Sequence, residues 1–324
     1  MANFKKVKRF AAALSAMAIV LSMSACGETS VPEESGDSTT TTTAAEAGDS
    51  TTKATTTAPA IVTTTTTTTA PLPVLTEYEA KFAENEDIVG WIKLDAANIN
   101  DPVVQADDNK YYLTRDFNGN DYQNGSFFVD YKCQFTTRTR PANTIIYGHN
   151  MVTGPSFAKL TRYYDATLFG EYSDKLGFYK ENPTLIFDTL YEKSEWKVFA
   201  CVLFNTDEKN GEVYPYTQIH DFESEASFNS FILDIMDRSV LWTDVDLTYG
   251  DSILTLSTCY YPYGENIDTR CVVFARKVRD GESPEVDVSK AQRNENPLMF
   301  TYQYTVLGGS WKGRTWDTSK LLSY

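Results

Sequence analysis

The chain has 324 residues, enough for one large domain or two small ones, and sets 29 basic against 44 acidic residues for a formal charge of −15. A nucleic-acid binder needs a basic footprint to displace counterions, so the balance argues against nucleic acid as a partner. An acidic surface favours solubility and dictates no fold.

In chain order the first element is a targeting segment over residues 1–26. Lys5, Lys6, Lys8 and Arg9 precede an apolar run from Phe10 to Ala25, with no acid among them, so the chain from Cys26 onward carries −19. Sixteen helical residues span about 24 Å, short of the ~30 Å hydrocarbon core and suited to a secretory h-region. The "LSMSAC-G" that follows matches a lipoprotein cleavage site, with Cys26 as the lipidated mature amino terminus. Lipidation, an uncleaved membrane anchor and plain secretion all place the remainder outside the cytoplasm.

Residues 27–74 are rich in Thr, Ala, Pro, Ser and acid, with seven consecutive threonines at 63–69. Such a segment buries too little to offset its ordering entropy and is expected to be a disordered tether. As a flexible coil it spans about 35–40 Å, and fully extended about 145 Å.

A folded domain is expected over 75–324. A short helix from Leu75 gives way to a strand around Trp91–Leu94. Strand-like runs follow at 102–105, 125–131, 143–149, 184–190, 196–204, 252–259 and 271–278, punctuated by Gly, Asn, Asp and Pro. One stretch breaks the pattern: Phe228, Phe231, Ile232, Ile235, Met236 and Val240 recur at helical spacing, predicting a helix before the strand at 252–259. The fold class is mainly β, a closed or nearly closed barrel of about eight strands. The tail beyond Arg279 is expected to be a strap packed on it.

Cys133, Cys201 and Cys271 lie in or beside apolar strands, where a buried thiol is the ordinary outcome. One disulfide among them suits an extracytoplasmic protein, but the sequence does not pair them. Cys259 closes a strand directly before the polar loop "YYPYGENIDT", at the rim of the sheet. His149 closes another strand at the same kind of boundary, whereas His220 is expected to mark a surface turn. If 254–259 and 270–276 form a hairpin, Arg270 returns to the end where Cys259 leaves, with neighbouring strands about 4.8 Å apart. A cysteine with a pKa near 8.5 is only about 3% thiolate at pH 7. A neighbouring imidazolium and guanidinium favour the charged form. The guanidinium would also stabilise an oxyanion, and His149 would exchange protons with leaving and entering groups. The histidines and cysteines lack metal-ligand spacing, and no cofactor motif is present.

At these residues the chain resembles the class B sortases. "TLSTC" at 255–259, the arginine eleven residues on followed by "VVFA", "NTIIYGHNM" at 143–151, "GSFFVD" at 125–130 and "PVVQADDNKYYLTRDFNG" at 102–119 carry the likeness over roughly 75–310. The resemblance implies a sortase-type β-barrel with an N-terminal helical segment and a helix before the catalytic-cysteine strand. It implies a cysteine transpeptidase that cleaves the carboxyl-terminal sorting signal of a surface protein after threonine. The acyl fragment is held as a thioester and passed to an amine of a peptidoglycan precursor or a pilin lysine. By motif position Cys259 is the nucleophile, His149 the general acid/base, Arg270 the oxyanion or substrate clamp, and Thr258 a substrate-positioning residue. A lipidated Cys26 departs from the uncleaved anchor usual in such enzymes. The aromatic loop after Cys259 stands where some relatives carry acids, so no third, orienting acid is identified. Two alternatives remain: a thiol peptidase that hydrolyses the same signal, and a non-catalytic peptide-binding surface lipoprotein.

Overall fold

A computed structural model describes residues 71–322, except 152. The targeting segment, Cys26 and the tether up to residue 70 lie outside the described residues. In chain order the elements are α1 (Thr76–Glu84), β1 (Ile88–Leu94), β2 (Ile99–Val104), β3 (Phe127–Val129), β4 (Asn143–Tyr147), α2 (Thr161–Tyr164), α3 (Gly177–Glu181), β5 (Thr184–Thr189), β6 (Glu195–Asn205), α4 (Glu225–Arg238), β7 (Leu241–Trp242), β8 (Leu247–Thr248), β9 (Ile253–Cys259), β10 (Thr269–Lys277), β11 (Gln292–Arg293), α5 (Thr301–Leu307) and β12 (Leu321–Leu322).

Eight of these strands close into a barrel in the order β1-β2-β3-β4-β9-β10-β6-β5, with β5 returning to β1. Each of the eight strand-like runs in the sequence supplies one of them. The run at 125–131 shrinks to the three residues of β3, which pair parallel with β2 and antiparallel with β4. Closure leaves no barrel edge to recruit another chain.

α4 begins on a reciprocal cap in which Ser224 and Ser227 each bond the other's backbone N–H. Phe228, Phe231, Ile232, Ile235 and Met236 are all buried, packed with Phe199, Val202, Val272 and Phe274. At about 1.5–3 kcal/mol for each buried side chain, burial outweighs the few tenths lost at each poor helix former. The helix is therefore held by packing rather than propensity. The opposite face of β6, β9 and β10 carries Cys201, Leu254, Leu256, Cys271 and Val273, clustered with Leu160 and Tyr163 around α2.

The tail runs along the barrel. β11 pairs with β7, β12 lies parallel to β8, and Trp316 is buried in the α4 cluster. His220 departs from its expected surface turn. Its side chain is only 12% exposed, and Nε2 lies 3.2 Å from Asp130 Oδ1. Asp130 also accepts bonds from the Tyr147 hydroxyl (2.8 Å) and Asn109 Nδ2 (2.9 Å). A buried carboxylate needs such partners, so His220 is drawn inward as one of them.

Candidate active site

Three neighbouring strand ends build the site. β9 and β10 are antiparallel, with Arg270 directly opposite Cys259. On the other flank β4 runs parallel to β9, residues 143–147 pairing with 253–257. The ladder continues one step further, as Gly148 N–H donates to the Ser257 carbonyl at 3.2 Å. The same offset brings His149 alongside Cys259, and the Asn150 side chain donates to the Cys259 carbonyl at 2.7 Å. His149, Cys259 and Arg270 thus end three adjacent strands at one end of the barrel.

Gly148 is required by close approach. A Cβ there would lie 2.7 Å from the Phe127 ring and 2.8 Å from that of Phe157. Those rings stack at 4.5 Å between centroids and form the wall that the chain crosses on leaving β4. The His149 backbone is fixed beyond it: its carbonyl accepts from Phe157 N–H at 2.8 Å and the Ser156 hydroxyl at 3.0 Å. The ring nitrogen Nε2 is 2.7 Å from the Leu113 carbonyl. A carbonyl only accepts, so Nε2 carries a proton, and in the neutral imidazole the lone pair sits on Nδ1.

Cys259 is buried to 9% exposure. Pleating puts Cys259, Ser257, Arg270 and Val272 on the α4 face of the sheet. Arg270 Nη1 donates to the Asp268 carboxylate and, at 3.0 Å, to the Thr269 carbonyl. Burial opposes its charge, but nearby Cys259 and then Asp268 outweigh that and hold the guanidinium pKa above its ordinary value. Asp268 is itself steadied by the Thr206 hydroxyl at 2.6 Å. Tyr216 lies on the same face, bonded to Ser257 Oγ at 2.8 Å. Burial pushes its phenol up to about 12, so it stays neutral.

Thr258 is placed differently from Cys259. It is 2% exposed on the α2 face, opposite Cys271, and its hydroxyl has no hydrogen-bond partner among the described residues. Cys133, beyond the end of β3, Cys201 on β6 and Cys271 on β10 are buried thiols. Cys201 and Cys271 have sulfurs 3.8 Å apart, and none of the described cysteines forms a disulfide. Burial raises Cys133 to about 12 and pushes Cys201 up as well, which makes both poor nucleophiles. Among the described residues no three His, Cys, Asp or Glu side chains converge as metal ligands would.

Sequence reasoning missed two parts of this arrangement. Asp268 orients Arg270; the signal was an acid two residues earlier, directly before β10, within reach of the guanidinium. Asn150, next to His149, ties the end of β4 to the cysteine backbone, a contact visible only once β4 and β9 are known to be neighbours.

The chain is similar to known proteins over most of its described residues. The sortase domain family matches residues 92–278. Sortase B of Staphylococcus aureus is 32% identical over 206 residues, covering 64% of this chain and 76% of that protein. Sortase B of Listeria monocytogenes is 31% identical over 175 residues, covering 54% of this chain and 63% of that protein. Among solved structures, a Staphylococcus aureus sortase B–substrate complex is similar with a TM-score of 0.52 at 32% identity, covering 64% of this chain and 86% of that one. A Bacillus anthracis protein described as similar to sortase B gives a TM-score of 0.51 at 35% identity, covering 63% and 83%.

Proposed function

The chain belongs to the sortase family, on its sortase B side, and is a sortase-type cysteine transpeptidase; from that premise we propose that Cys259 is the nucleophile, His149 the general acid and base, and Arg270 the donor to the oxyanion. The observation that carries this reading is the convergence of those residues at one end of β4, β9 and β10. The Cys259 thiolate attacks the carbonyl carbon of the threonine in a sorting signal, and the negative charge passes to the carbonyl oxygen, where Arg270 meets it. Protonated His149 gives its Nδ1 proton to the leaving amine as the C–N bond breaks, leaving a thioester. An acceptor amine of a peptidoglycan precursor or pilin then attacks the thioester carbonyl, neutral His149 takes its proton, and the thiolate leaves. Asp268 fixes the guanidinium. Thr258 lies behind the strand, so it positions substrate only indirectly, through the backbone at Cys259.

In this reading the substrates are surface proteins with a carboxyl-terminal sorting signal, and the site is extracytoplasmic. Residues 1–26 are the signal segment, with lipidation at Cys26, and 27–74 the tether carrying the catalytic domain of 75–324. The composition of the first 74 residues supports this. No helix of the described residues is long and apolar enough to cross a membrane. Labelled-lipid incorporation that survives Cys26→Ala would remove the lipoprotein assignment.

Incubating the full chain with threonine-containing sorting peptides, with and without an added amine, tests the reaction by product mass. An amide product supports transpeptidation, whereas an acid product regardless of amine favours the thiol-peptidase alternative. Turnover that persists in Cys259→Ala overturns the nucleophile assignment.

A further inference from the structure

The family match ends at residue 278, and residues 279–322 run back across the barrel. That segment is fastened to the end of α4. Asn294 Nδ2 donates to the Ser239 carbonyl at 2.8 Å, and Leu298 N–H donates to the Asp237 carbonyl at 2.7 Å. The Arg314 guanidinium forks onto both carboxylate oxygens of Asp237 at 2.8 Å each. Between these anchors the strap reaches the loop of residues 260–268, which leaves Cys259 and returns at Arg270.

That loop is fastened mainly at its ends, where the Asp268 carbonyl accepts from Thr206 N–H at 3.2 Å and from the Thr206 hydroxyl at 3.1 Å, and the Thr269 hydroxyl donates to the Tyr260 carbonyl. Tyr260 N–H and the Thr269 carbonyl close its base at 3.0 Å, and two turns lie within it, Gly264 N–H to Tyr261 at 3.1 Å and Ile267 N–H to Gly264 at 3.0 Å. Pro262, Gly264, Glu265 and Asn266 are exposed. Ile267, however, is buried, in a cluster with Phe300 from the strap and Leu203 from β6, against which Tyr164, Tyr260, Tyr263 and Tyr302 pack. Tyr263 meets Phe300 edge-on at 6.4 Å, and Gln303, itself only 3% exposed, donates from Nε2 to the Tyr263 hydroxyl at 3.1 Å. Ile267 directly precedes Asp268, the carboxylate that holds Arg270. The contacts form one chain, from Phe300 through Ile267 and Asp268 to Arg270.

We propose that Phe300 and Gln303 are positioning residues for the transfer reaction, clamping the 260–268 loop so that Asp268 presents the Arg270 guanidinium to the Cys259 sulfur. The segment beyond the family match is then part of the active-site framework rather than a passive tail. The exposed middle of the loop opens more readily than its tied ends unless it is packed. Small displacements of a catalytic group are costly, with about 1 Å worth up to 10²-fold in rate. The inference rests on the roles assigned above to Cys259 and Arg270.

The test is alkylation of the full chain by iodoacetamide, with the modification at Cys259 quantified by peptide mapping across pH. Cys133, Cys201 and Cys271 are 1% exposed or less and serve as unreactive internal references. The titratable groups around the Cys259 sulfur are His149 from the end of β4, Arg270 from β10, Asp268 behind it, and Tyr216 ahead of α4. Arg270→Gln calibrates the loss of the guanidinium, slowing alkylation near neutral pH and moving its profile upward. Phe300→Ala is expected to move the profile the same way and slow alkylation at pH 7 by about 10-fold. Gln303→Ala should move it less, and Phe300→Leu should recover most of the rate. Val306→Ser, on the exposed side of α5, should leave the profile unchanged. If Phe300→Ala fails to fold, Gln303→Ala decides. Wild-type profiles in Phe300→Ala and Gln303→Ala, or in Gln303→Ala alone where Phe300→Ala does not fold, with Arg270→Gln slowed, overturn the clamp and leave the arginine's role standing. A wild-type profile in Arg270→Gln itself overturns the pairing of guanidinium and thiolate, and the clamp with it.

Discussion

Replacing Arg270 by lysine keeps the positive charge and removes the fork. A guanidinium offers five N–H donors in a fixed plane, whereas an ammonium offers three from one point. In the structure a single nitrogen, Nη1, serves both the Asp268 carboxylate and, at 3.0 Å, the Thr269 carbonyl, so the rest of the fork can turn to the reacting carbonyl. A lysine at the same place is drawn to Asp268, and with all its donors at one point it leaves none extended toward the reacting carbonyl. Losing one oxyanion donor typically removes 10²–10³ from kcat, about 2.7–4 kcal/mol. Because the charge remains, Arg270→Lys should fall near the lower end, about 10²-fold, and Arg270→Gln near the upper. The assay is a quenched fluorogenic sorting peptide with a saturating amine acceptor, reading kcat and KM separately. The loss should appear in kcat, since the interaction strengthens only as the oxyanion forms. An Arg270→Lys enzyme within about threefold of wild type in kcat would refute the fork argument, because charge alone would then suffice.

His149→Ala should lower kcat by about 10²–10⁴-fold, with partial rescue by added imidazole; rates equal to wild type would remove it as the acid and base. Gly148→Ala drives a methyl to within 2.7–2.8 Å of the Phe127 and Phe157 rings. Overpacking of this kind costs about 1–3 kcal/mol, and the same push displaces His149, so thermal stability and kcat should fall together; a melt unchanged from wild type would show that the site has slack. Glu282 bonds Arg276, whose side chain is fully buried, and also Lys197 and the Arg279 backbone, contacts that hold its carboxyl below the ordinary range. A depressed folded pKa means stability that is present above the ordinary glutamate value and is lost as pH falls through and below it. Melting scans should therefore show a decline below about pH 4.5 that is shallower in Glu282→Gln, with that variant about 3 kcal/mol less stable at pH 7; parallel acid declines would refute this assignment.

Much of the fold was legible because strand alternation and turn residues are local signals. The eight barrel strands and the apolar stripe of α4 follow from spacing and turn residues, and the β9–β10 hairpin follows from the short loop between Cys259 and Arg270. The parallel neighbour relation of β4 and β9 was not legible. More than a hundred residues separate them, and both are buried runs that could pair with any strand. His149 could thus be chosen by type and boundary, but its place beside Cys259 is a property of the closed barrel. His220 was misjudged for a related reason: its partner Asp130 lies ninety residues away, and nothing local announces a buried carboxylate. The aromatic loop after Cys259 was visible as a cluster of tyrosines. Its partners, Phe300 and Gln303, come from a tail whose mixed composition gives no period from which to place them.

The assignment of sulfur as the acyl carrier can be measured directly. The full chain is mixed briefly with a threonine-containing sorting peptide, quenched in acid and mapped by mass spectrometry. The account predicts a single acyl increment on the peptide containing Cys259, discharged by added amine and absent in Cys259→Ala. An increment on any other residue, or peptide cleavage undiminished in Cys259→Ala, would contradict it.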